Sequence, residues 1–346
     1  MISRRRRDLI FITVSVFVLA FTTVVFYSLV KTVLFAASTT QNAKVDYIED
    51  ITMISDTEGW AVGSSLKGNS YECLMLHYNS GKWQRDKCDF NTGLNAVSMV
   101  SVREGWAVGS NGYILHYNGV DWSSVEGGIS GVELHSVYAS SPHDVWAVGD
   151  SGTILHYVEG KWTKLIIPYK ENIYGLHFTS PTEGWAVGGS SSSIKSSLIL
   201  HFKDGVWMRQ QSPTDTRLSS IFMNTPSEGW AVGGQADKES SGVIVHYSNN
   251  KWNIVDQQNL LPLNSVHMKA LDDGWAVGGG LFLDSGNPNP VYKSAVFHYA
   301  LGHWTRSYSL TGKATDIFMT SVEEGWLVGW NTIQKFAEGR WTKYEY

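Results

Sequence analysis

A Gly-Trp-Ala-Val-Gly motif, or a close variant of it, occurs seven times along the 346-residue chain, at intervals of 39 to 51 residues. The tryptophans of this motif are Trp60, Trp106, Trp146, Trp185, Trp230, Trp275 and Trp326. Each copy is followed by a second tryptophan, and these are Trp83, Trp122, Trp162, Trp207, Trp252, Trp304 and Trp341. Repeats of this length, built from short strand patterns, are typical of radial β architectures. Fourteen of the fifteen tryptophans belong to the repeat and only Trp330 does not, which indicates packing between repeats rather than sugar binding.

Each repeat reads as four short antiparallel strands. In the second copy, residues 95–99 alternate between polar and apolar, and Asn111-Gly112 and Asn118-Gly119 are hairpin dipeptides. In every copy the positions nine and seven residues before the first tryptophan, and two after it, are apolar, so both faces of each sheet need a neighbouring sheet. A closed ring of sheets meets this need and protects the strand edges. We therefore predict an all-β fold, a seven-bladed β-propeller of four-stranded antiparallel blades over residues 45–346.

The repeat also resembles a known class of propellers. Its Gly-Trp-Ala-Val-Gly strand and the following Gly-x-Trp strand are similar to those of the Asp-box (BNR) class, and most of all to the photosystem II assembly and stability factor family and its bacterial relatives. The resemblance covers all seven repeats, but the full box, Ser-x-Asp-x-Gly-x-x-Trp, is reduced to fragments such as Glu159-Gly160-Lys161-Trp162. The resemblance implies the propeller fold and a role in assembly or scaffolding.

The N-terminal segment has the pattern of a membrane anchor. Arg4–Arg7 form a basic cluster within a tail at residues 1–8, and Leu9–Val30 is a run of 22 residues without a charge. As a helix this run spans about 33 Å, enough for a bilayer core of about 30 Å. We predict a cytoplasmic N-terminus, one transmembrane anchor at residues 9–35, a linker at 36–44 and a propeller outside the cell membrane. A signal peptide cleaved near Ala36-Ala37-Ser38 and a twin-arginine export signal are alternatives, and both also export the propeller.

Charge fits an exported domain and argues against nucleic acid as a partner. Residues 36–346 hold 22 basic and 31 acidic residues, a net charge of −9, because Arg4–Arg7, Lys31 and Asp8 precede them. Proteins that bind nucleic acid normally present a basic face. We expect the partner to be a protein or a cell-envelope component, with the membrane contacted through the anchor.

The two cysteines, Cys73 and Cys88, both fall in the first repeat. If Tyr78 opposes Trp83 across the hairpin that joins the third and fourth strands, the numbers of paired residues sum to 161, as 73 and 88 do. Directly opposed residues have Cβ atoms about 4.5–5.5 Å apart, which is close to disulfide geometry. Because an oxidising compartment permits the bond, we predict a Cys73–Cys88 disulfide; two packed free thiols are the alternative.

Two polar columns repeat together with the tryptophans. A histidine column on the third strand consists of His77, His116, His156, His201, His246 and His298, with Lys335 in the seventh repeat. An acidic column before the first tryptophans consists of Glu58, Glu104, Asp144, Glu183, Glu228, Asp273 and Glu324. Stacked sheets lie about 10 Å apart whereas zinc ligands lie within about 2.1 Å of the metal, so the histidines cannot converge and we expect no metal site or cofactor. We interpret the histidines as packing or hydrogen-bonding within a blade and the acids as turn residues; an acidic rim that binds cations is the alternative.

A third column, eight residues before the first tryptophans, varies from repeat to repeat: Thr52, Ser98, Tyr138, His177, Phe222, His267 and Phe318. First strands line the axis of a propeller, so this column is either a ligand surface or filler.

The connections between the second and third strands are uneven. From the last glycine of the motif to the histidine column the distances are 14, 7, 7, 13, 13, 20 and 6 residues, so repeats 4, 5 and 6 carry neighbouring insertions. Variable loops on a rigid scaffold are where binding usually resides. We expect the third insertion to expose apolar and aromatic groups; functionless loop drift is the alternative. The candidate binding residues are Lys195, Asp237, Lys238, Glu239, Phe282, Asp284, Asn287 and Tyr292.

No catalytic residue can be assigned. Sialidase-type propellers, which the chain resembles in fold, need an arginine triad, but none of the six arginines after the basic cluster lies in a first strand. Nucleophile-elbow, P-loop and dinucleotide motifs are missing from the sequence. We predict a membrane-anchored, non-catalytic scaffold, with an exported glycoside hydrolase or a lyase as the alternative. An axial pocket with two close carboxylates would favour the enzyme, and a channel filled by first-strand side chains would favour the scaffold.

Overall fold

Seven four-stranded antiparallel sheets make up the fold. The computed structural model describes residues 44–190, 196–235, 238–256, 260–284, 287–310 and 312–346, without the side chains of 283–290. In each sheet the strands lie side by side in chain order. The first strand of each sheet lies beside the first strand of the next, and the seventh sheet lies beside the first. The predicted seven-bladed β-propeller of four-stranded antiparallel blades is therefore confirmed.

Within each blade the four strands follow one another in order from the axis to the outside. The first, innermost strands are Val45–Ser55, Leu94–Ser101, Leu134–Ser141, Asn172–Ser180, Leu218–Thr225, Leu263–Met268 and Ala314–Met319. The second strands are Glu58–Lys67, Glu104–Gly109, Asp144–Gly149, Glu183–Gly189, Glu228–Gly233, Gly274–Asp284 and Gly325–Gly329. The third strands are Ser70–Asn79, Ile114–Tyr117, Thr153–Val158, Ser197–Lys203, Val243–Ser248, Asn287–Ala300 and Thr332–Ala337. The fourth, outermost strands are Lys82–Arg85, Trp122–Val125, Lys161–Leu165, Val206–Arg209, Lys251–Asp256, His303–Leu310 and Arg340–Tyr344.

Short 3-10 turns, Ser110–Gly112 and Asp150–Gly152, join the second and third strands of blades 2 and 3. In the first of them Asn111 has a φ of 60° and Gly112 a φ of 78°. This left-handed backbone is the one that Asn-Gly hairpin dipeptides supply, as the sequence predicted.

The predicted basic tail at 1–8, anchor at 9–35 and nearly all of the linker at 36–44 lie outside the described residues. Within the part of the chain that the structure does describe, no helix has the length and apolar character needed to cross a membrane.

Aromatic side chains lock each blade to the next. The first tryptophan of every blade meets the second tryptophan of the following blade edge to face, with ring centroids 5.4–5.8 Å apart and ring planes at 77–88°. A third ring, on the third strand of that following blade, lies 4.6–5.0 Å from the same first tryptophan. The tryptophan pairs are Trp60–Trp122, Trp106–Trp162, Trp146–Trp207, Trp185–Trp252, Trp230–Trp304, Trp275–Trp341 and Trp326–Trp83. Edge-to-face contact is a favoured geometry for aromatic rings, so these tryptophans hold blades together as predicted.

The histidine and acidic columns are partners within each blade. Each histidine lies across from the first tryptophan of its own blade, with centroids 3.8–4.4 Å apart. Its Nε2 atom contacts the acid of the same blade at 2.5–3.0 Å. In blade 7 the amine of Lys335 replaces the histidine, 3.3 Å from Glu324 and 5.6 Å from the ring centroid of Trp326. The sequence indicated hydrogen bonding within a blade but did not connect the two columns.

The glycine before the first tryptophan makes room for a side chain of the first strand. A Cβ atom at Gly105 would lie only 2.1 Å from Sδ of Met99, and a methionine meets the matching glycine in blades 1, 5, 6 and 7 in the same way. Blade 3 changes both residues at once, with Ala139 in the methionine position and Val145 in the glycine position. The side chains at these two positions therefore occupy the same space between the first and second strands. A side chain from either strand can fill it.

The ring closes without an exchanged strand. Residues 45–48 belong to the first strand of blade 1 and add no strand to the sheet of blade 7. A single bridge instead pairs Tyr47 with Trp330. The backbone N–H of Asn331 donates to the carbonyl of Asp46 at 2.8 Å, and the N–H of Asp46 donates to Oδ1 of Asn331 at 2.7 Å. Backbone and side-chain hydrogen bonds thus fasten blade 1 to blade 7.

A disulfide bond joins Cys73 and Cys88, whose Cα atoms are 5.8 Å apart. The hairpin has the register used to infer it, since Tyr78 pairs with Trp83. The bond holds the segment that leaves the fourth strand of blade 1 against the third strand. In the chain-entropy account, a crosslink across a loop of this length stabilises a fold by about 3 kcal/mol through the unfolded state.

We predict that the blade 3 arrangement can be transferred to blade 2. Gly105→Val alone should lower the free energy of unfolding by about 1–3 kcal/mol, because the new side chain overlaps Met99. The double variant with Met99→Ala should lose at least about 1 kcal/mol less than the sum of the two single losses. Urea unfolding of the four proteins measures this coupling, and strictly additive losses would contradict a shared volume.

Candidate functional site

Side chains of the first strands line the ring axis. The seven residues of the variable column are all half-buried there. Five of them, Tyr138, His177, Phe222, His267 and Phe318, form a row of rings with successive centroids 4.5–5.3 Å apart. This row lines one side of the axis.

Polar side chains on the axis complete the backbone hydrogen bonding of the inner strands. A first strand is the inner edge of its sheet, so backbone groups on its free side have no strand partner. At each of the seven junctions a side chain of one blade contacts such a group in the following blade at 2.7–3.4 Å. The contacts run from Asp316 to Ile51, Asp50 to Val97, Ser98 to Ala139, Tyr138 to Phe178, His177 to Met223, Ser220 to Val266 and His267 to Met319. These polar side chains therefore stabilise the junctions between neighbouring blades.

Two histidines of this ring are held in the neutral form. Nδ1 of His177 and of His267 accepts a backbone N–H, at 3.4 Å in both cases, which places the ring proton on Nε2. Burial lowers the pKa of His177 to about 4. Burial, together with His177 and Lys269, lowers the pKa of His267 to about 3. Both side chains therefore stay uncharged at physiological pH.

Asp50 and Asp316 form an acid pair where blade 1 meets blade 7. Burial, and then the neighbouring Asp316, raises the pKa of Asp50 well above its usual range, and the two carboxyl groups are hydrogen-bonded to each other. Each also accepts a backbone N–H, from Val97 and Ile51 respectively. Burial and the neighbouring carboxyl group thus favour the neutral form of Asp50. The arrangement of the pair differs from that of glycosidase carboxylates, which stand about 5–10 Å apart to admit water or a sugar.

The structure describes only some of the predicted binding residues, and Lys238, Glu239, Phe282 and Tyr292 lie at the end of the ring where second strands connect to third strands. Lys195 and Asp237 are outside the described residues. Asp284 and Asn287 lie in strands at positions where the description does not include side chains. Lys238 is exposed.

The described residues of the blade 6 insertion form strands rather than a loop. The second and third strands simply run on, to Asp284 and from Asn287. Phe282 was predicted to be exposed, and this is wrong: only 4% of its surface is accessible, and it packs in a core cluster with Leu260 and Leu261. An extended strand turns every second side chain toward the core, which a loop need not do.

Glu239 and Tyr292 connect blades at this end. Glu239 forms an ion pair with Lys293 at 2.9 Å, which joins blade 5 to blade 6. Tyr292 is half-buried and meets the ring of Trp330 in blade 7 at 4.9 Å. The surface suggested by blades 4–6 therefore continues into blade 7.

Trp330 is the centre of an aromatic cluster. Tyr47 approaches its ring edge to face at 4.6 Å, and Nζ of Lys313 lies 5.1 Å from its centroid. We call Tyr47, Tyr292, Lys313 and Trp330, which come from blades 1, 6 and 7, the Trp330 cluster. Burial raises the pKa of Tyr47 to about 12, with further contributions from Tyr71 and Glu49, and burial also raises the pKa of Tyr292. Both phenols remain protonated and can donate hydrogen bonds.

A second cation–aromatic group lies at the same end, on blades 3 to 5. The guanidinium of Arg217 lies 4.8 Å over the ring of Tyr174, and that ring is 4.8 Å from His135. Nε of Arg217 donates to the carbonyl of Gly234 at 3.1 Å, which fixes the position of the guanidinium group. This end of the ring thus presents half-buried aromatic rings and oriented cations on two sides of the axis.

Among the described residues, no group of three or more His, Cys, Asp or Glu side chains has the geometry to hold a metal ion. Each histidine of the repeat column faces the acid of its own blade instead, and no two of those pairs share a partner.

Comparisons with known proteins agree on the fold. No protein-family model matches the chain, and no curated protein matches it either. Among solved structures, YCF48 bound to D1 peptide is 17% identical, with a TM-score of 0.62 over 84% of this chain and 92% of that one. YCF48 from Cyanidioschyzon merolae is 17% identical, with a TM-score of 0.61 over 85% and 97%. The resemblance to photosystem II assembly factors that the repeat predicted is therefore confirmed for the fold.

Propellers with other activities are as similar. The WD40 propeller domain of Doa1 is 9% identical, with a TM-score of 0.64 over 86% of this chain and 95% of that one. The GH74 enzyme of Niastella koreensis is 11% identical, with a TM-score of 0.60 over 84% of this chain and 52% of the enzyme. Since the fold is common to binding proteins and an enzyme, the function has to be argued from the site.

We predict that His267→Asn makes the protein less sensitive to acid. Unfolded histidine ionises near pH 6.5 whereas native His267 does so near 3, so below pH 6.5 the unfolded state binds more protons and the free energy of unfolding falls. Asparagine still accepts the N–H of Met319 but does not titrate. Between pH 7.5 and 4.5, urea unfolding should show a loss about 1–3 kcal/mol larger in the wild type than in the variant.

The acid pair does not obscure this comparison. Asp50, with its raised pKa, contributes stability that is lost as pH rises, which is the opposite direction, and it does so in both proteins. The same pH dependence in wild type and variant would contradict a neutral, buried His267.

Proposed function

We propose that this protein is a non-catalytic scaffold that binds a protein segment, or another envelope component, at the end of the ring that carries the Trp330 cluster. The observation that carries this proposal is the position of Trp330. It is the one tryptophan outside the repeat. It therefore stands apart from the blade-packing pairs, and it is half-buried beside an oriented cation and two tyrosines.

The chemistry of the cluster suits protein binding. Tryptophan, tyrosine and cations are the side chains that dominate binding energy at protein interfaces, because they give large contact area and a polar tip at little entropic cost. Here they stand on strands and tight turns, so little ordering is needed when a partner binds. Arg217 and Tyr174 offer a second contact of the same kind across the axis. One fold neighbour is YCF48 bound to D1 peptide, which supports a peptide as the partner class.

An exported glycoside hydrolase or lyase is the alternative. The acid pair on the axis and the likeness to a GH74 enzyme are the observations in its favour. The two carboxyl groups are hydrogen-bonded to each other and each accepts a backbone N–H, which leaves little room for a substrate between them. Turnover of aryl glycosides by the purified full chain, lost in Asp50→Asn, would establish the enzyme and overturn the scaffold.

We predict that Trp330→Ala abolishes partner binding. The full chain, photo-crosslinked in the cells that produce it and analysed by quantitative mass spectrometry, should lose its main partner by at least about tenfold, the effect of removing an interface hot spot. Val120→Ala is the matched control, since Val120 is 77% exposed in a turn at the opposite end of the ring. Urea unfolding shows whether Trp330→Ala is folded, and Lys313→Met repeats the test without removing a ring. Unchanged crosslinking in both folded variants would contradict the proposed site.

We also propose that residues 9–35 anchor the propeller to the cell membrane, with the N-terminus in the cytoplasm and the propeller outside. The charge pattern of the N-terminal segment supports this orientation. The Cys73–Cys88 bond supports it independently, because structural disulfides persist in oxidising compartments and are rare in the cytoplasm.

We predict that both thiols are oxidised in living cells. Cells that make the full chain are quenched in acid, and the denatured protein is alkylated with a mass-tagged maleimide before or after reduction. We expect no tag before reduction and two tags after it, while Cys73→Ser should carry one tag without reduction. Two tags on the unreduced wild type would contradict both the bond and the exported propeller.

A further inference from the structure

The turn between the third and fourth strands of blade 6 holds an exposed leucine. Leu301 has 92% of its surface accessible. Its φ is 54°, and that of Gly302, which follows it, is 83°. Two successive positive φ angles are those of a type I′ hairpin turn, for which Asn-Gly is the favoured dipeptide. A large side chain is unfavourable in this backbone conformation and here gains nothing from burial, so the fold does not explain Leu301.

The same turn position is polar in the other blades that use this backbone. Three residues before the second tryptophan, blades 1, 3, 4, 5 and 7 have φ angles of 49–52° at Ser80, Glu159, Asp204, Asn249 and Glu338. Blade 2 has a glycine at this position. The leucine of blade 6 is therefore a departure from the repeat that carries a backbone cost and leaves an apolar surface in water.

Two more apolar side chains are exposed at the same end of blades 6 and 7. Leu271 is 58% accessible and Val322 is 48% accessible, each in the turn between the first and second strands of its blade. Neighbouring strands of a sheet lie about 5 Å apart and packed sheets about 10 Å apart, so one short peptide segment can reach all three turns. Exposed apolar side chains that are grouped and rimmed by polar residues are typical of interaction sites.

The rim of this group is negatively charged. Asp272 follows Leu271 and Glu323 follows Val322, and both acids are exposed. The next acid of each turn is already paired, Asp273 with His298 and Glu324 with Lys335. In contrast, neither Asp272 nor Glu323 forms an ion pair with any residue that the structure describes. We call Leu271, Asp272, Leu301, Val322 and Glu323 the blade 6–7 patch.

The charge of the patch selects among possible occupants. Two uncompensated carboxylates repel the same patch of a second copy, and they repel the anionic headgroups of a membrane surface. They attract lysine and arginine, while the three aliphatic side chains can bury apolar residues of the same partner.

We propose that the blade 6–7 patch binds a basic amphipathic peptide segment of a partner protein. The patch lies at the end of the ring opposite the Trp330 cluster, because turns between first and second strands and connections between second and third strands are at opposite ends of a blade. The proposal therefore stands or falls independently of partner binding at Trp330.

A pair of synthetic peptides tests the proposal. The basic probe is a peptide of about eight residues that alternates lysine with leucine and carries one photo-leucine, and the acidic probe has glutamate for lysine. Each is crosslinked to the detergent-solubilised full chain over a range of concentrations, and the labelled residues are mapped by mass spectrometry. We expect the basic probe to label the patch with half-saturation at about 100 μM or lower, at least about tenfold below the acidic probe. Added salt should raise the half-saturation concentration, since exposed charges are screened.

Leu301→Asn separates binding from folding. The variant creates the favoured Asn-Gly turn, so it should raise the midpoint of urea unfolding while it weakens labelling by the basic probe at least about tenfold. A leucine with only a structural role would lower that midpoint. Val120→Asn is the matched control, because Val120 is 77% exposed in the corresponding turn of blade 2, and it should change labelling less than about twofold. Trp330→Ala should leave labelling of the patch intact.

The two acids are tested together. Asp272→Asn combined with Glu323→Gln should weaken labelling by the basic probe about tenfold and remove most of its salt dependence. Equal labelling by both probes, no labelled patch with about 1 mM basic probe, or unchanged labelling in Leu301→Asn would overturn the proposal. Self-association in sedimentation that Leu301→Asn abolishes, or crosslinking of the patch to a photoactivatable phosphatidylglycerol in nanodiscs, would also overturn it by identifying a second copy or the membrane as the occupant.

Discussion

The edge-to-face contact between tryptophans of neighbouring blades is the interaction on which the rest of the structure depends. It occurs at all seven junctions with nearly the same distance and angle. A four-stranded blade has apolar residues on both faces and could not bury them alone, so each blade is stabilised by its neighbours. Closing the ring gives every blade two neighbours, including blades 1 and 7, which would otherwise expose an apolar face.

The contacts that recur in the blades account for the fold, so features that do not recur are the candidates for function. Histidine–acid pairs recur in six blades and a lysine–acid pair takes their place in blade 7. Together with the hydrogen bonds along the axis, they explain most of the polar residues inside the ring. What remains unexplained by the repeat is asymmetric, as the Trp330 cluster is. That cluster is built on strands and tight turns of the blades, which suits binding more than a mechanism that needs large motions.

The sequence predicted the features that recur and missed those that bring different repeats together. Seven copies of one strand pattern were enough to predict the blades, the packing role of the tryptophans and the hairpin register around Cys73. Nothing in the sequence placed Trp330 next to Tyr47, because Trp330 belongs to blade 7 and Tyr47 to blade 1, and the two meet only when the ring closes. Phe282 was misjudged for a related reason: an insertion in the sequence can be either a loop or a longer hairpin, and only the second buries the ring.

The most direct test of the account compares the closing junction with an interior one. Trp326→Ala removes the tryptophan contact between blades 7 and 1, and Trp185→Ala removes the tryptophan contact between blades 4 and 5. Because the same three-ring contact is lost in each, urea unfolding should show that both variants lose about 3–5 kcal/mol, with a single cooperative transition. A negligible loss in Trp326→Ala beside a full loss in Trp185→Ala would contradict a closed ring held by seven equivalent aromatic locks.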